Sequence, residues 1–420
     1  MEPIKVLILT LSDLAGGGAS KAAFNLSKQL KKIGVASRLL VRIKVSKDND
    51  VIGPESRIGT FWGKLRIRID KLSLIFSKYQ SHGFWSTNWL KSSILTNNID
   101  YDILQLNWIG GGVVSIKELE KISVPVVWRL PDMWAFTGGC HYDDDCGRYK
   151  SGCGYCPNLG NNGKNDLSKK NLQKKLEHWK NLNLTIVAPS KWLYECVKSS
   201  LLFKDVPVKI IPTGVNIEKF TPMNRDAAMK RFGINEKKKI ILFGAVGAKS
   251  DERKGSEQLI KSLVNLYSEE NTDKYQLVVF GAKEQDFLSE VGFETTCLGI
   301  VKDEKILNEI YSMADVFVAP SLQENLANTV LESLASGTPC VAFDVGGMPD
   351  MISHKENGYL ACHKDVADLA NGIEWVLNNN ENDVLGIFSR KVAVERFSHF
   401  QQAEKYKILY EELIKNSENE

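Results

Sequence analysis

Two series of alternating strand and helix signals constrain this chain more than any other feature of its sequence. Short apolar runs of the buried-strand type, such as residues 4–9 and 316–319, alternate with amphipathic stretches in both halves. Residues 212–216, Pro-Thr-Gly-Val-Asn, form a turn-rich boundary between the two series. Because 420 residues exceed what one core usually holds, the pattern predicts two α/β domains. Each is expected to be a doubly wound parallel sheet, with ligands bound in the cleft between the domains, at the carboxyl ends of the strands.

Residues 319–339 carry the densest chemical signal. Two glutamates, Glu324 and Glu332, lie eight positions apart, and apolar residues recur between them with a helical period. The sequence predicts a strand, a loop containing Glu324, and a helix over residues 326–336 with Glu332 about two turns in. The start of such a helix favours a diphosphate. One carboxylate can then meet a sugar while the other holds ribose hydroxyls.

This stretch resembles the glutamate-x7-glutamate motif of retaining nucleotide-sugar glycosyltransferases with the GT-B fold, the group 1 or GT4-type family. Three other segments fit the same resemblance: the glycines at 16–18, Asp-Glu-Arg-Lys-Gly at 251–255, and the run 343–352. The resemblance spans nearly the whole chain and is strongest at 240–360. It implies two Rossmann-like domains, an N-terminal acceptor domain over 1–211 and a C-terminal donor domain over 212–397. In this fold the last helix, here about 398–420, crosses back to the first domain.

The resemblance also implies roles for individual residues. Glu332 would bind the ribose, Glu324 would position the sugar, and Lys254 with Arg253 would stabilise the leaving diphosphate. Side chains supply these cations in the family, so no catalytic metal is expected. The family's arginine usually lies nearer Gly247, and Arg253 takes its place here. The donor-binding residues that the resemblance implies are Gly17, Gly18, Asn325, Leu326, Thr329, Glu332, Gly346 and Gly347.

Residues 128–142 resemble a subgroup of these enzymes that builds bacterial surface polysaccharides, including the colanic-acid type. That subgroup has His-Asp-Met-Trp where this chain has Pro-Asp-Met-Trp, so Pro131 occupies the position of a histidine that contacts the transferred sugar. Asp132 remains, and His141 is the nearest alternative histidine. Both are candidate catalytic residues, although a lone histidine is often structural.

The ends and the charge of the chain bear on its location. The first ten residues predict a buried strand rather than a signal peptide, and no apolar run reaches the ~18–20 residues of a spanning helix. A cytoplasmic protein is therefore expected.

The charge of the chain is unevenly distributed. Residues 1–130 hold 19 Lys and Arg against 10 Asp and Glu, whereas residues 201–420 hold 25 Lys and Arg against 34 Asp and Glu. The basic segment 61–95 is interleaved with bulky apolar residues. It predicts either peripheral contact with an anionic membrane or a helix packed on the first sheet with a basic outer face.

Four cysteines fall within 17 residues of the insertion 132–160: Cys140, Cys146, Cys153 and Cys156. In a cytosolic chain such clustering favours a metal over disulfides, and four thiolates suit a structural Zn²⁺. Two disulfides, an iron–sulfur cluster and free thiols remain alternatives. Since the insertion is rich in glycine, we expect burial alone to hold it poorly. The acidic run at 143–145 is expected to be a solvated turn.

Together these features predict a retaining glycosyltransferase that moves a sugar from a UDP- or GDP-sugar to a saccharide or lipid-linked saccharide. The pathway implied by the resemblance is bacterial surface polysaccharide biosynthesis. One alternative is a sugar-nucleotide epimerase on the same fold. Another is a zinc-dependent nucleic-acid-binding protein, suggested by the cysteines and the basic front half. The acidic back half and the donor motif argue against nucleic acid as a partner.

Overall fold

The computed structural model describes residues 2–417 except 16, 76, 78–82, 93, 97–98, 161–162, 245–250 and 282–290, and it leaves out the side chains of residues 269–271. The chain divides into two compact units. Unit 1 comprises Met1–Pro212 and Gln402–Glu420, and unit 2 comprises Thr213–Gln401. Within the described ranges, the helices are all too short or too polar to cross a bilayer.

The sheet of unit 1 has seven parallel strands in the order β3-β2-β1-β4-β5-β6-β7. Its central strands are buried on both faces, as their continuous apolar sequences predict. The strand order reverses at β1, and ligands of such sheets bind at that point, outside the carboxyl ends of the strands. The strands are β1 Lys5–Ser12, β2 Ala36–Ile43, β3 Val51–Ile52, β4 Ile103–Leu106, β5 Val126–Arg129, β6 Leu184–Ala188 and β7 Val208–Ile210.

Helices cover both faces of this sheet. The second helix lies directly on β2, because Gly63 has no side chain there: a Cβ atom would come within 2.5 Å of the Arg42 carbonyl oxygen. A short 3₁₀ helix, Ile116–Lys121, follows β4 and ends there because Ile122 already has extended backbone dihedrals. The α-helices in this part are α1 Gly18–Lys32, α2 Arg57–Asp70, α3 Leu167–Trp179 and α4 Lys191–Ser199.

The sheet of unit 2 has six parallel strands in the order β10-β9-β8-β11-β12-β13. The order reverses between β8 and β11, so the loops after these two neighbours border the expected ligand site. The predicted pair of doubly wound parallel sheets is therefore confirmed. The strands are β8 Lys239–Gly244, β9 Tyr275–Phe280, β10 Glu294–Cys297, β11 Val316–Ala319, β12 Cys340–Phe343 and β13 Gly358–Ala361.

One helix of unit 2 begins later than the sequence predicts. Residues 326 and 327 are buried, and Ala327 has extended dihedrals, so α9 starts at Asn328 rather than 326. Glu332 thus lies about one turn into the helix, not two. The helices are α5 Arg225–Phe232, α6 Ser256–Leu266, α7 Glu269–Lys274, α8 Glu304–Ser312, α9 Asn328–Ala335, α10 Met348–Met351, α11 Val366–Asn379 and α12 Val384–Phe397.

The last helix, α13 at His399–Ser417, extends from unit 2 into unit 1. Its buried face packs into the same apolar cluster as β1, α1 and β2. Lys209 in β7 also pairs with Glu412 of this helix, with 3.0 Å between Nζ and Oε2. Because that pair is half exposed, apolar burial rather than charge holds α13 in place. The residues of α13 in the cluster are Ala403, Tyr406, Leu409, Tyr410, Leu413 and Ile414.

Candidate functional site

Three neighbouring strands of unit 2 bring the predicted donor residues to one edge of the sheet. Strands β8, β11 and β12 lie side by side and run in parallel. Their carboxyl ends lead into the segments 251–255, 320–327 and 344–347. The middle strand supplies Glu324, β8 supplies Arg253 and Lys254, and β12 supplies Gly346 and Gly347. The fold therefore gathers residues that are up to 94 positions apart in sequence, from Arg253 to Gly347.

Glu324 accepts hydrogen bonds from both predicted cations. The Lys254 ammonium lies 2.7 Å from Glu324 Oε2, and Arg253 Nη1 lies 3.2 Å from the same oxygen. Arg253 also donates to the Gln323 carbonyl at 2.8 Å and to Asp251 Oδ2 at 2.9 Å. The guanidinium is thus held from three sides. Lys254 is the less enclosed cation, with 27% of its side chain exposed against 15% for Arg253.

The cation pair keeps Glu324 ionised. Burial alone would raise the pKa of this carboxyl, but the charges of Lys254 and Arg253 and their hydrogen bonds outweigh burial and lower the pKa to about 2. The site consequently contains one fixed carboxylate between two fixed cations. Such a group can accept hydrogen bonds from neutral hydroxyls, while the cations can stabilise a developing negative charge.

The two glycines after β12 hold the backbone of Glu324. The Gly347 N–H donates a 3.1 Å hydrogen bond to the Glu324 carbonyl oxygen. Gly346 has a φ of 58°, and a Cβ atom there would lie 1.8 Å from the same oxygen. The structure thus shows these glycines as supports for the glutamate, a role that sequence reasoning did not predict.

Glu332 lies in α9 and has a different partner. The hydroxyl of Tyr311, at the end of α8, donates to Glu332 Oε2 at 3.1 Å. Burial, followed by the charge of Glu332, raises the pKa of Tyr311, so the phenol stays protonated as a donor. Asn325 and Leu326 are buried just before the helix, and Thr329 in its first turn is half-buried. Ala327, at the N-cap, has no side-chain oxygen to cap the helix, which leaves its first N–H groups to other acceptors.

The remaining predicted residues belong to unit 1. Gly17 is the N-cap of α1 and Gly18 is its first residue, whereas Gly16 lies outside the described residues. Asp132 follows β5 and is buried. It accepts hydrogen bonds from Trp108 Nε1 at 3.1 Å and from the Trp134 N–H at 2.9 Å. Both donors fix the carboxylate at the carboxyl edge of the first sheet.

His141 is tied to the segment around Asp132 by backbone bonds. Its carbonyl accepts from the Met133 N–H at 2.8 Å, and its Nδ1 accepts from the Phe84 N–H at 3.1 Å. Since Nδ1 acts as an acceptor, the proton of a neutral ring sits on Nε2. The structure thus brings Asp132 and His141 together in unit 1, and Glu324 and Lys254 together in unit 2.

Aromatic side chains from the insertion 132–160 are buried in the core of unit 1. The expectation that burial would hold this insertion poorly is therefore wrong. Asp143 is also buried rather than solvated, and it accepts from the Gly147 N–H at 2.9 Å, whereas Asp144 and Asp145 are exposed. The buried apolar residues of the insertion include Trp134, Phe136, Tyr142, Tyr149 and Leu159.

The four clustered cysteines are free thiols. They lie close enough for the other three to affect Cys140 electrostatically, and burial raises the pKa of Cys140 first of all. Among the described residues, no group of three or more His, Cys, Asp or Glu is placed to hold a metal ion. The Zn²⁺ assignment stays a prediction.

Sequence reasoning missed residues that build the site without carrying its chemistry. Asp251 orients Arg253, and Tyr311 orients Glu332. Asp251 lies in the segment 251–255 but was given no role, and no local pattern marks Tyr311. Asp13, directly after β1, accepts N–H bonds from Leu14, Val45 and Ser46. Burial would raise the pKa of Asp13, but a hydrogen bond from the Ser46 side chain and these N–H bonds lower it. Its position at the carboxyl end of a buried strand was a signal that could have identified it.

Comparison with known proteins places this geometry in a family. Residues 237–379, which contain Lys254, Glu324, Glu332 and Gly346, match the family described as Glycosyl transferases group 1. This chain carries a group 1 glycosyltransferase domain. Sucrose-phosphate synthase from Thermosynechococcus elongatus shares the fold with a TM-score of 0.71 and 18% identity, over 98% of this chain and 100% of that one. The predicted GT-B fold is thereby confirmed.

Two curated relatives are similar to this chain over part of its length. D-inositol 3-phosphate glycosyltransferase of Geodermatophilus obscurus is 31% identical over 41% of this chain and 40% of that protein. UDP-Gal:alpha-D-GlcNAc-diphosphoundecaprenol alpha-1,3-galactosyltransferase of Escherichia coli is 23% identical over 53% of this chain and 58% of that protein. The chain therefore matches about half the length of these relatives. The activities in their names are those of the relatives.

Proposed function

We propose that this protein is a retaining glycosyltransferase. It transfers a sugar from a UDP- or GDP-sugar to a saccharide or lipid-linked saccharide in bacterial surface polysaccharide biosynthesis. The observation that carries the proposal is the cluster of Lys254, Arg253 and Glu324 at the reversal point of the second sheet. A parallel sheet binds its ligand there, and the cluster offers the charges that departure of a nucleoside diphosphate requires.

Lys254 is the cation that acts on the leaving group. An ammonium has three N–H donors, and the bond to Glu324 uses one of them. The others can donate to diphosphate oxygens, where negative charge grows as the bond to the sugar breaks. Arg253 already has three acceptors in the protein, so it mainly holds Glu324 and its own loop in place. With these side chains supplying positive charge, the transfer requires no catalytic metal.

The two glutamates bind different parts of the donor. Glu324 is ionised and rigid, and its carboxylate accepts hydrogen bonds from the sugar hydroxyls. Glu332, oriented by Tyr311, accepts from the ribose hydroxyls. Between them the start of α9 presents N–H groups and the positive end of the helix dipole to the diphosphate. Asn325, Leu326 and Thr329 shape this turn.

The chemistry needs no separate base. The bond between the anomeric carbon and the diphosphate oxygen breaks while the acceptor oxygen forms its bond on the same face of the sugar. The acceptor proton passes to the departing phosphate oxygen, so charge and atoms balance. We propose Asp132 and His141 as further catalytic residues, and Gly17 and Gly18 as further donor-binding residues. The protonated Nε2 of His141 is a donor for a hydroxyl oxygen.

One relative suggests a lipid-linked acceptor and a location at a membrane. The name of the Escherichia coli relative contains UDP-Gal and a diphosphoundecaprenol acceptor. A lipid-linked acceptor requires an enzyme that works at a membrane surface, here the inner face of the plasma membrane in the cytoplasm.

The test is a screen of nucleotide sugars for thermal stabilisation, followed by analysis of the product. A donor at 100 times its Kd adds about 2.7 kcal/mol to the free energy of unfolding. Transfer with the anomeric configuration of the donor kept would support the proposal. Conversion of the nucleotide sugar to free nucleotide without transfer indicates the alternative, an epimerase. Nanomolar binding of nucleic acid without donor stabilisation would favour the second alternative.

For the cysteine loop we propose a structural Zn²⁺ held by Cys140, Cys146, Cys153 and Cys156. Four thiolates form a closed tetrahedral set, which suits zinc and leaves no open position for catalysis. The support is their placement in one loop, where their charges interact. Among the described residues these thiols are not placed to hold a metal ion, so metal binding would require the loop to rearrange.

A further inference from the structure

Helix α2 and the turn that follows it present an unusual outer face. Large apolar side chains there are half exposed or more, although globular proteins usually bury such groups. We call this face the α2 surface. Phe76 and Lys78, which the sequence places in the same segment, lie outside the described residues. The apolar residues of the α2 surface are Ile58 at 71% exposure, Ile75 at 66%, Phe61 at 60%, Trp62 at 56% and Leu72 at 50%.

The opposite face of α2 is fixed, so the helix cannot turn to bury these side chains. Gly63 lies against the Arg42 carbonyl of β2 without room for a Cβ atom. Arg66 donates to the Gly112 carbonyl at 3.0 Å and to the Lys91 carbonyl at 2.8 Å. Asp70 is buried and accepts from the Ser86 hydroxyl at 2.5 Å. These contacts hold the apolar residues outward.

Exposed positive charge accompanies the apolar residues. Arg57, Lys64, Arg68 and Lys71 are all exposed, and the acid between residues 57 and 75, Asp70, is 1% exposed. At about 100° per residue, Ile58 and Phe61 fall on the side of α2 opposite Gly63, and its cations Arg57, Lys64 and Arg68 fall along one flank. Lys71 and Leu72 lie in the 3₁₀ turn that follows α2. An apolar stripe flanked by cations is the arrangement of helices that lie in a membrane interface.

A basic groove adjoins the first turn of α2. It has a volume of about 650 Å³, and Lys44, Lys47, Arg57 and Lys64 line it together with hydroxyls such as that of Thr60. Glu55 is the acid in its lining. Four cations and several hydroxyls around one groove match the phosphate of an anionic lipid headgroup.

We propose that the α2 surface docks this protein on the surface of an anionic lipid bilayer, with Phe61 and Trp62 inserted at the interface and the groove binding lipid phosphate. The exposed cations of the α2 surface complement the negative charge of anionic lipids, and this complementarity argues for a bilayer as the partner. A second copy of the chain would bring four cations against four, and repulsion would oppose the contact. The inference extends the proposed function by naming what holds the enzyme near a lipid-linked acceptor. Its test needs no transferase activity, so either proposal can fail alone.

The experiment is co-sedimentation of the full chain with vesicles. One set contains phosphatidylglycerol and phosphatidylcholine in equal parts, and the other contains phosphatidylcholine alone. We expect binding to the anionic vesicles, weakened when salt rises from about 0.1 M to about 1 M and the Debye length falls from ~10 to ~3 Å. Lys64→Gln with Arg68→Gln should lower partitioning about 25-fold, since each cation near such a surface contributes about five-fold. Phe61→Ser with Trp62→Ser should lower it at least about ten-fold.

Matched controls come from unit 2. Val384 and Ile387 are also exposed apolar residues, and Lys261 is an exposed cation. Val384→Ser with Ile387→Ser, and Lys261→Gln, should leave vesicle binding unchanged. Thermal unfolding of all variants checks that they are folded. The proposal is overturned if the wild type does not bind anionic vesicles, or if the α2 variants bind them as well as the wild type does. It is also overturned if light scattering shows a wild-type dimer that Phe61→Ser with Trp62→Ser abolishes.

Discussion

Gly346 and Glu324 fit together backbone against backbone: a Cβ atom on the glycine would lie 1.8 Å from the carbonyl oxygen of the glutamate. The adjacent Gly347 N–H donates to that same oxygen at 3.1 Å. Two loops from neighbouring strands are thus locked at the residue that anchors both cations. The position of Glu324 depends on the absence of a side chain at Gly346, in the loop after the neighbouring strand β12.

Gly346→Ala should therefore displace Glu324 and lower kcat more than its effect on stability explains. Gly299 is a matched control, because its φ of 67° is similar and nothing lies within 4 Å of the Cβ position. Both substitutions cost about 1 kcal/mol for the left-handed backbone, but only Gly346→Ala adds a clash. Unfolding midpoints and initial rates should be measured for both variants. Equal loss of activity would show that the contact does not matter.

Lys254→Ala and Glu332→Ala should each lower transfer by at least ~100-fold, the scale for losing one preorganised polar contact to the reacting group or donor. Lys261→Ala removes a cation from an exposed pair on α6 and should retain full activity. Steady-state rates with the donor found in the screen provide the measurement. If Lys254→Ala turned over at nearly the wild-type rate, the assigned leaving-group role would have to be abandoned.

Catalysis should be independent of divalent metal, because Lys254 and Arg253 supply positive charge at the diphosphate. Initial rates after brief treatment with EDTA should match untreated enzyme, with thermal unfolding followed in parallel to detect loss of structural zinc. Inhibition reversed specifically by Mg²⁺ or Mn²⁺, with unfolding unchanged, would contradict the proposed mechanism.

The lowered pKa of Glu324 gives a pH-dependent contribution to stability. Its folded pKa of about 2 lies below the ordinary 4.5, so the contribution is complete above about pH 4.5 and is lost as the pH falls towards 2. At 1.36 kcal/mol per pH unit it amounts to about 3 kcal/mol. Glu324→Gln should thus destabilise unit 2 at pH 7 and progressively less at lower pH. Hydrogen exchange of β11 and β12 would report it.

The control for this effect is Glu257→Gln. Glu257 is exposed and pairs with Lys261 within α6, so its removal should change stability by less than ~0.5 kcal/mol at any pH. A Glu324→Gln effect that did not vary between pH 7 and pH 3 would show that the ion pairs with Lys254 and Arg253 do not stabilise the fold.

The cysteine loop gives a prediction about metal content. Purified protein should carry about one zinc per chain by elemental analysis, and Cys153→Ser should lower both zinc content and the unfolding temperature, because binding energy becomes local folding energy. Cys297→Ser, in the edge strand β10, should leave the zinc content unchanged. Zinc-free protein with four titratable thiols in this loop would contradict the assignment, as would two disulfides.

Local patterns predicted the central strands well, because strands buried on both faces are continuous apolar runs. The edge strands β10 and β13 were not predicted, since Glu-Thr-Thr-Cys and Gly-Tyr-Leu-Ala lack such a run and pair on one side only. In the candidate site, the glutamate motif and the Arg-Lys pair could be identified from the amino-acid sequence alone. The bond from Tyr311 to Glu332 was not, because tertiary packing of α8 beside α9 creates it and no spacing encodes it.

Helix α13 imposes an order on biosynthesis. Unit 2 is continuous in sequence, whereas unit 1 needs residues 402–417 to cover an apolar patch formed by β1, α1 and β2. A ribosome makes those early elements hundreds of residues before it makes their cover. Part of the core of the nascent first unit therefore stays exposed until α13 is made, whereas the second unit can fold before that. Truncation before residue 402 should accordingly yield aggregation rather than a working half-enzyme.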